Sequence, residues 1–207
     1  MSTINNVNSS LLSNLLLNSL YDRSGSETCH AGMDSLTHCP ASMGHLPQIL
    51  EIEKENFPLP WDIFTFTPTM EDRRCEGIVA VENELVVGYC FAIHQDNMLK
   101  VLKLAVRKSF QRKGIASRLL QKVLLSAALK DRMFAYLEVR MSNVTAITFY
   151  SKMGFTHVNT LHRYYPDNNE DANVMAKNLR VIAMLITNNR LFRVLVEKQD
   201  IGGFIKR

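Results

Sequence analysis

The chain reads as an α/β protein built on one mixed sheet with helices on its faces. Three observations predict this: consecutive strand-like stretches between residues 77 and 106, an apolar helical stripe from Ile115 to Ala127 directly after them, and a further strand, helix and hairpin between residues 134 and 179. A run of strands followed by strand–helix alternation places antiparallel and parallel pairs in one sheet.

The elements follow in order. Residues 35–39 form a short strand broken by Pro40, and Ser42 caps a helix through Ile49, Leu50, Ile52 and Glu53 to about Phe57. Pro58 and Pro60 forbid helix, so residues 57–61, with the only tryptophan, form an ordered loop or tight turn. Residues 77–82 and 85–95 pair as a hairpin across Asn83-Glu84, and residues 98–106 add a third strand. Ile115, Leu119, Leu120, Val123, Leu124 and Ala127 recur at helical spacing over residues 115–130, the signature of a helix facing a core. Residues 134–139 form the next strand. Ser142 or Asn143 caps a helix carrying Ala146, Ile147, Phe149 and Tyr150, and Gly154 stops it. Residues 156–165 and 172–179 close the domain as a hairpin across a polar loop.

Length and composition bound the rest. With 207 residues, 46% of them hydrophobic, the chain buries one good core, so a single domain at 34–179 carries extensions at 1–33 and 180–207. The first extension is rich in Asn, Ser and Leu, with Leu11, Leu12, Leu15, Leu16 and Leu20 at helical spacing; its polar face lacks Arg, making it a poor secretory signal. It reads as a disordered or docking segment, with an organelle transit peptide as the alternative to a cytoplasmic location. The second extension has no clean period and no assignable role. A net charge of +4 is mild and does not argue for nucleic-acid binding. No apolar run is long enough to span a membrane. Cys29, Cys39, Cys75 and Cys90 are irregularly spaced and read as reduced thiols. The doublets Cys29-His30 and His38-Cys39 match no standard zinc spacing, so no metal is expected.

The junction between the strand ending at Val106 and the helix starting at Ile115 is the most informative stretch. Gln111, Arg112, Lys113, Gly114, Ile115, Ala116 and Ser117 place a small residue and two cations at a helix N-terminus, where unpaired N–H groups and the helix dipole favour a phosphate. A plain strand-to-helix turn, with Gly114 only relieving steric conflict, remains the alternative.

Further residues carry a resemblance. Leu137-Glu138-Val139-Arg140, Ser142-Asn143, Ala146-Ile147, Phe149-Tyr150, Gly154-Phe155, Tyr164-Tyr165 and Glu170-Asp171-Ala172 occur in one ordered series, preceded by Leu46-Pro47 and Ile49-Leu50-Glu51-Ile52-Glu53. Across residues 34–179 the chain resembles the GCN5-related N-acetyltransferases (GNAT) that modify protein N-termini, above all the RimI-type ribosomal-protein alanine acetyltransferases and their archaeal and eukaryotic relatives.

The resemblance implies a mixed sheet splayed into a V between its fourth and fifth strands, here residues 101–106 and 134–139, with acetyl-CoA in the cleft. Backbone atoms of Leu104, Ala105 and Val106 would meet the pantetheine, residues 111–117 the pyrophosphate, and Asn143 would touch CoA, with helix capping as its other role. Acetyl transfer to an amine needs a base for the ammonium proton, a stabilised oxyanion and a proton for the leaving thiolate. The resemblance assigns the base to Glu138, the acid to Tyr150 and the oxyanion donor to the Val106 N–H. Glu138 as a partner of Arg140, which strand alternation is expected to turn to the opposite face, is one structural alternative. Tyr150, a phenol expected to have a pKa near that of a thiol, has the alternative of a packed core aromatic beside Phe149. No metal and no cysteine is required. The acceptor is a protein or peptide N-terminus, framed by Phe57, Pro58, Trp61, Tyr164 and Tyr165, with the acidic loop 167–171 attracting its ammonium. A ribosome or auxiliary subunit is a further candidate partner. A lysine or small-amine acceptor, and a CoA-sensing or docking module using the basic residues Lys100, Lys103, Arg107, Lys108, Arg112 and Lys113, are the competing functions.

Two departures stand out. Arg107-Lys108-Ser109 replaces an acidic residue and a proline common in relatives, and Lys103 replaces a small or amide residue. An inward Lys103 would repel an ammonium acceptor.

Overall fold

The computed structural model describes residues 36–180 and 182–184. The expected features of residues 1–33, the doublet Cys29-His30, and almost all of the stretch beyond 180 lie outside the described residues.

The element order is β1 (Leu36–Pro40), α1 (Leu46–Asn56), α2 (Ile63–Glu71), β2 (Cys75–Glu82), β3 (Leu85–Gln95), β4 (Met98–Val106), α3 (Ile115–Leu129), β5 (Phe134–Arg140), α4 (Val144–Lys152), β6 (Thr156–Tyr165) and β7 (Glu170–Asn178). Ser42 opens a short 3-10 turn at Met43–His45 and α1 begins only at Leu46, so the expected cap lies one turn upstream of the α-helix. The helix α2 was not expected. Asp62 caps it, its carboxylate accepting from the Thr65 N–H at 2.9 Å, and Phe66 is its buried anchor.

One sheet of order β1-β2-β3-β4-β5-β7-β6 organises the molecule. β1 to β4 form an antiparallel meander, β4 and β5 run parallel, and β5, β7 and β6 pair antiparallel. Asn83 (φ 48°) and Glu84 (φ 65°) both adopt positive φ in the β2–β3 turn, as a two-residue hairpin of right-handed twist requires.

Each face of the sheet has its own core. On one, Leu46, Ile49 and Ile52 of α1 and Phe66 of α2 pack on Val79, Val86, Tyr89 and Phe91. On the other, Leu119, Leu120, Val123 and Leu124 of α3 pack on Val87, Cys90, Val101 and Leu137, with Phe155 closing the α4 side. Truncating one of these α3 leucines to Ala costs about 2–5 kcal/mol.

The pairing of β4 with β5 is short. It covers Met98↔Phe134, Leu99↔Ala135 and Lys100↔Tyr136 and then stops, while β5 stays paired to β7 from Phe134 to Arg140. Beyond Lys100 the two strands diverge into the expected V.

Candidate active site

Strand β4 forms one wall of the V. The Arg107 N–H donates to Val87 O at 2.8 Å on the β3 side. Successive N–H groups of a strand alternate in direction, so those of Val106 and Leu104 face the open edge and that of Ala105 faces β3. A register shift lets Phe91 pair with Lys103 and Ala92 with Val101, leaving Leu102 as the extra residue of a bulge. The bulge turns Lys100 and Lys103 to the same face of the sheet, that of α1.

At the mouth of the V the chain makes a 3-10 turn at Lys108–Phe110 and enters α3 through Gly114. Arg112 (φ 64°) and Gly114 (φ 81°) are both left-handed, a conformation that glycine tolerates and other residues pay strain to hold. No side chain caps α3, so the N–H groups of its first turn, from Ile115, Ala116 and Ser117, have no side-chain acceptor. The Ile115 side chain itself is in the core. A Cβ built on Gly114 meets nothing within 4 Å, so space stands open beside these donors. Arg112 and Lys113 are exposed, with Lys113 Nζ 4.7 Å from the Phe110 ring. Gln111 braces the loop: its Nε2 donates to Val106 O at 3.1 Å and Asn56 Oδ1 at 2.9 Å. The arrangement fits the pantetheine and pyrophosphate of a CoA thioester, with an open strand edge for the first and uncapped helix donors beside two cations for the second.

Strand β5 is the other wall. Leu137 and Val139 enter the α3-side core, so Glu138 projects from the opposite face, towards α1. Glu138 Oε1 pairs with Lys100 Nζ at 2.9 Å, both side chains largely covered. Glu138 and Arg140 lie two residues apart and therefore share a face; the expectation that alternation separates them was wrong. They stay unpaired because Arg140 is taken elsewhere, to Asp167 at 2.8 Å, Glu170 at 3.1 Å and the Tyr165 ring at 3.8 Å.

These contacts order the acidic loop. Arg140 pairs with both Asp167 and Glu170, Asp171 lies 2.9 Å from His162, and hydrogen bonds from Ser142 and Asn168, with Arg140, hold the Glu170 carboxyl down to about 2. Asp167 and Glu170 share the one guanidinium of Arg140, so the loop, with Asp171 as a third carboxylate, keeps a net negative charge.

Tyr150 stands on α4 among Phe149 and Phe155, at ring distances of 5.1 and 5.7 Å. Burial raises its phenol well above the ordinary 10, so it keeps its proton throughout the physiological range but is not matched to a thiol as the sequence reading supposed. It packs against the core on the α3 side, whereas Glu138 faces α1. The two side chains therefore lie on opposite faces of the sheet. Asn143 fulfils its capping role, Oδ1 accepting from the Ala146 N–H at 3.0 Å.

The loop between α1 and α2 shows what the sequence reading missed. Glu53, fully buried, accepts from the Trp61 N–H at 2.7 Å, from Lys103 Nζ at 3.1 Å and from the Tyr89 hydroxyl. Lys103 Nζ also lies 3.5 Å from the Phe57 ring and 5.3 Å from the Trp61 ring. Burial pulls Glu53 upward and Lys103 downward, each towards neutrality. The Trp61 N–H, Lys103 Nζ and the Tyr89 hydroxyl all converge on Glu53, and the Glu53–Lys103 pair is net neutral whichever partner holds the shared proton. Lys103 is thus neutralised from within and is not a free charge opposing an ammonium. Phe57 and Trp61 are half-buried over this cluster, Pro58 is exposed, and Tyr164 and Tyr165 face each other edge-on at 5.1 Å on the β6 side.

Half of the basic cluster considered for docking is similarly occupied, while Lys108, Arg112 and Lys113 stand exposed at the mouth of the V. Lys100 and Lys103 are paired as above, and Arg107 pairs with Glu51 at 2.6 Å and Glu55 at 3.1 Å. Cys39, Cys75 and Cys90 form no disulfide among the described residues, and burial pushes Cys75 up to about 11. Among the described residues no three metal-ligating side chains cluster.

A model of the acetyltransferase (GNAT) family matches residues 46–155. The chain belongs to that family. Among GNAT relatives, it is 34% identical over 154 residues to an N-alpha-acetyltransferase of Saccharolobus solfataricus, covering 67% of this chain and 90% of the relative. It is 30% identical over 135 residues to the ribosomal protein bS18-alanine N-acetyltransferase of Escherichia coli, covering 63% of this chain and 89% of that one. The crystal structure of the Escherichia coli ribosomal-protein-S18-alanine N-acetyltransferase superposes with a TM-score of 0.65 at 25% identity, over 70% of this chain and 94% of that one. Arabidopsis thaliana NAA60, crystallised with acetyl-CoA, shares the fold with a TM-score of 0.62 at 20% identity, over 70% of this chain and 99% of that one. The GNAT fold, with its mixed sheet and V, is thus the fold of this chain, and acetyl transfer is the chemistry of its family.

Proposed function

We propose that this acetyltransferase transfers the acetyl group of acetyl-CoA to the α-amino group of a protein or peptide N-terminus. The observation that carries the reading is the β4–β5 splay. It leaves the Leu104 and Val106 N–H groups open beside an uncapped helix N-terminus and puts a carboxylate on the facing wall. The N-alpha-acetyltransferase relatives support the choice of acceptor.

The reaction is a direct transfer. Glu138, directly or through a water, takes a proton from the acceptor ammonium, whose pKa near 8 makes the proton weakly held at neutral pH. The open-edge N–H groups of Leu104 and Val106 hold the thioester and the pantetheine, one of them supporting the oxyanion, and residues 111–117 hold the pyrophosphate. The Ala105 N–H faces β3 and takes no part in this. Tyr150 returns a proton to the departing sulfur. Phe57, Pro58 and Trp61 on one side and Tyr164 and Tyr165 on the other frame the acceptor backbone. The Glu53 anchor favours this over a loose pocket for small amines, because a pinned loop presents one fixed wall to an extended chain end. A ribosomal protein is one member of the acceptor class, as for the Escherichia coli relative, and docking to a ribosome or auxiliary subunit belongs to the same proposal.

The test is a peptide panel varied at its first two residues, incubated with acetyl-CoA and read by mass spectrometry. Acetylation at the α-amine is expected; acetylation confined to internal lysines rejects the reading.

A further inference from the structure

Lys100 is the last β4 residue paired with β5, opposite Tyr136, so it stands at the apex of the V. Its side chain reaches forward along the cleft to Glu138, where Nζ lies 2.9 Å from Oε1; the two side chains are 23% and 13% exposed. The Tyr136 hydroxyl does not compete for that carboxylate, because it donates to Gln95 Oε1 at 2.7 Å. Of the other cations on this face, Lys103 is held by Glu53 and Arg140 by Asp167 and Glu170. The carboxylate assigned to take a proton from the acceptor amine is therefore already in contact with a primary amine of this chain. A group in hydrogen-bond contact with the base occupies, by the logic of the reaction, the place of the acceptor.

We propose that Lys100 is an intramolecular acceptor, acetylated on Nζ by acetyl-CoA bound in the V, and that this modification releases Glu138 for peptide N-termini. The proposal rests on the reading of Glu138 as the base. Glu138 removes a proton from the Lys100 ammonium, and the freed lone pair attacks the thioester carbonyl carbon. The C–N bond forms and the C–S bond breaks, with the electron pair leaving on sulfur. Tyr150 gives that sulfur its proton. The nitrogen loses its second proton on forming the amide, so the sum is ammonium plus thioester to amide, free thiol and one proton.

Two consequences follow. A lysine ammonium is less acidic than an α-ammonium, about 10.4 against about 8, so self-acetylation is slower than turnover on a peptide. Burial works against the charge on Lys100, but the bond and charge of Glu138 outweigh it and strengthen the hold on that proton. Once acetylated, Lys100 carries no charge, and Glu138 is left to pair with the ammonium of an incoming chain end.

The test uses the full chain with isotopically labelled acetyl-CoA and no peptide, digested at intervals and read residue by residue by mass spectrometry. The exposed Lys54 and Lys152 report plain chemical acetylation. Lys100 is expected to label at least about ten-fold faster than either. The labelling rate should be independent of protein concentration, lost in Glu138→Gln and slowed by saturating acceptor peptide. Labelling no faster than Lys54 and Lys152, in a preparation that acetylates peptide N-termini with dependence on Glu138, overturns this proposal and leaves the proposed function standing. Peptide acetylation undiminished in Glu138→Gln overturns both.

Discussion

Glu53 and Trp61 are joined by a 2.7 Å hydrogen bond from the Trp61 N–H to Glu53 Oε2, and a fully buried carboxylate on α1 thereby fixes the loop that walls the acceptor groove. The same carboxylate binds Lys103 on β4 and the Tyr89 hydroxyl on β3. The acceptor loop is thus tied to the strand that faces the CoA cleft.

Removing Glu53 tests that tie. Glu53→Ala leaves Lys103 buried without its counter-charge and should cost about 3–5 kcal/mol in chemical denaturation. The double variant Glu53→Gln with Lys103→Met should recover most of that stability. Its KM for peptide should nevertheless rise about ten-fold, with the KM for acetyl-CoA changed by less than about two-fold. An unchanged peptide KM would reduce the cluster to a purely structural role.

The two candidate catalytic groups differ in their expected pH signatures. Glu138→Gln should lower kcat about 100-fold at pH 7, and the loss should shrink above about pH 8, where the acceptor amine sheds its own proton. Tyr150→Phe should slow thiol release by a smaller factor, because its phenol, raised by burial, is a weak acid for a thiolate that leaves well unaided. Steady-state rates followed by thiol appearance separate the two.

At the mouth of the cleft, Gly114→Val forces a β-branched residue to φ 81° and should cost about 1–3 kcal/mol. The new side chain would also fill space beside the α3 donors that is open in this structure. Titration calorimetry should show acetyl-CoA binding weakened about ten-fold or more, with the fold retained by circular dichroism.

His38 on β1 gives a stability signature unrelated to catalysis. Its Nε2 is buried without a partner among the described residues, and burial, helped by Lys122 and Arg118, lowers its pKa from 6.5 to about 4. Between these values the unfolded chain binds the proton and the folded chain does not. Stability should therefore fall as pH drops from 6.5 towards 4, and this contribution should be flat above 6.5. Thermal melts across that range should show the slope, and His38→Leu should reduce it.

Much of this architecture was legible because it rests on periodicity. α3 emerges close to its expected bounds because helical apolar spacing runs its whole length, and β4 because it is one apolar stretch whose alternation holds on either side of the Leu102 bulge. α2 was illegible: Thr65, Thr67, Pro68 and Thr69 are poor helix residues, and the segment is held by the Asp62 cap and the burial of Phe66. Glu53 was invisible for a different reason. On α1 it reads as an ordinary helical carboxylate, and only the fold brings Trp61, Tyr89 and Lys103 to it. The Lys100–Glu138 pair likewise depends on where β4 and β5 part, which periodicity does not encode.

The central claim is that the V hands an acetyl group to a chain end. Its most direct measurement is fragment-ion mass spectrometry of a peptide with a free N-terminus and one internal lysine, after incubation with the protein and acetyl-CoA. The account predicts acetyl on the α-nitrogen, dependent on Glu138; a product modified only on the lysine, or formed equally well by Glu138→Gln, would contradict it.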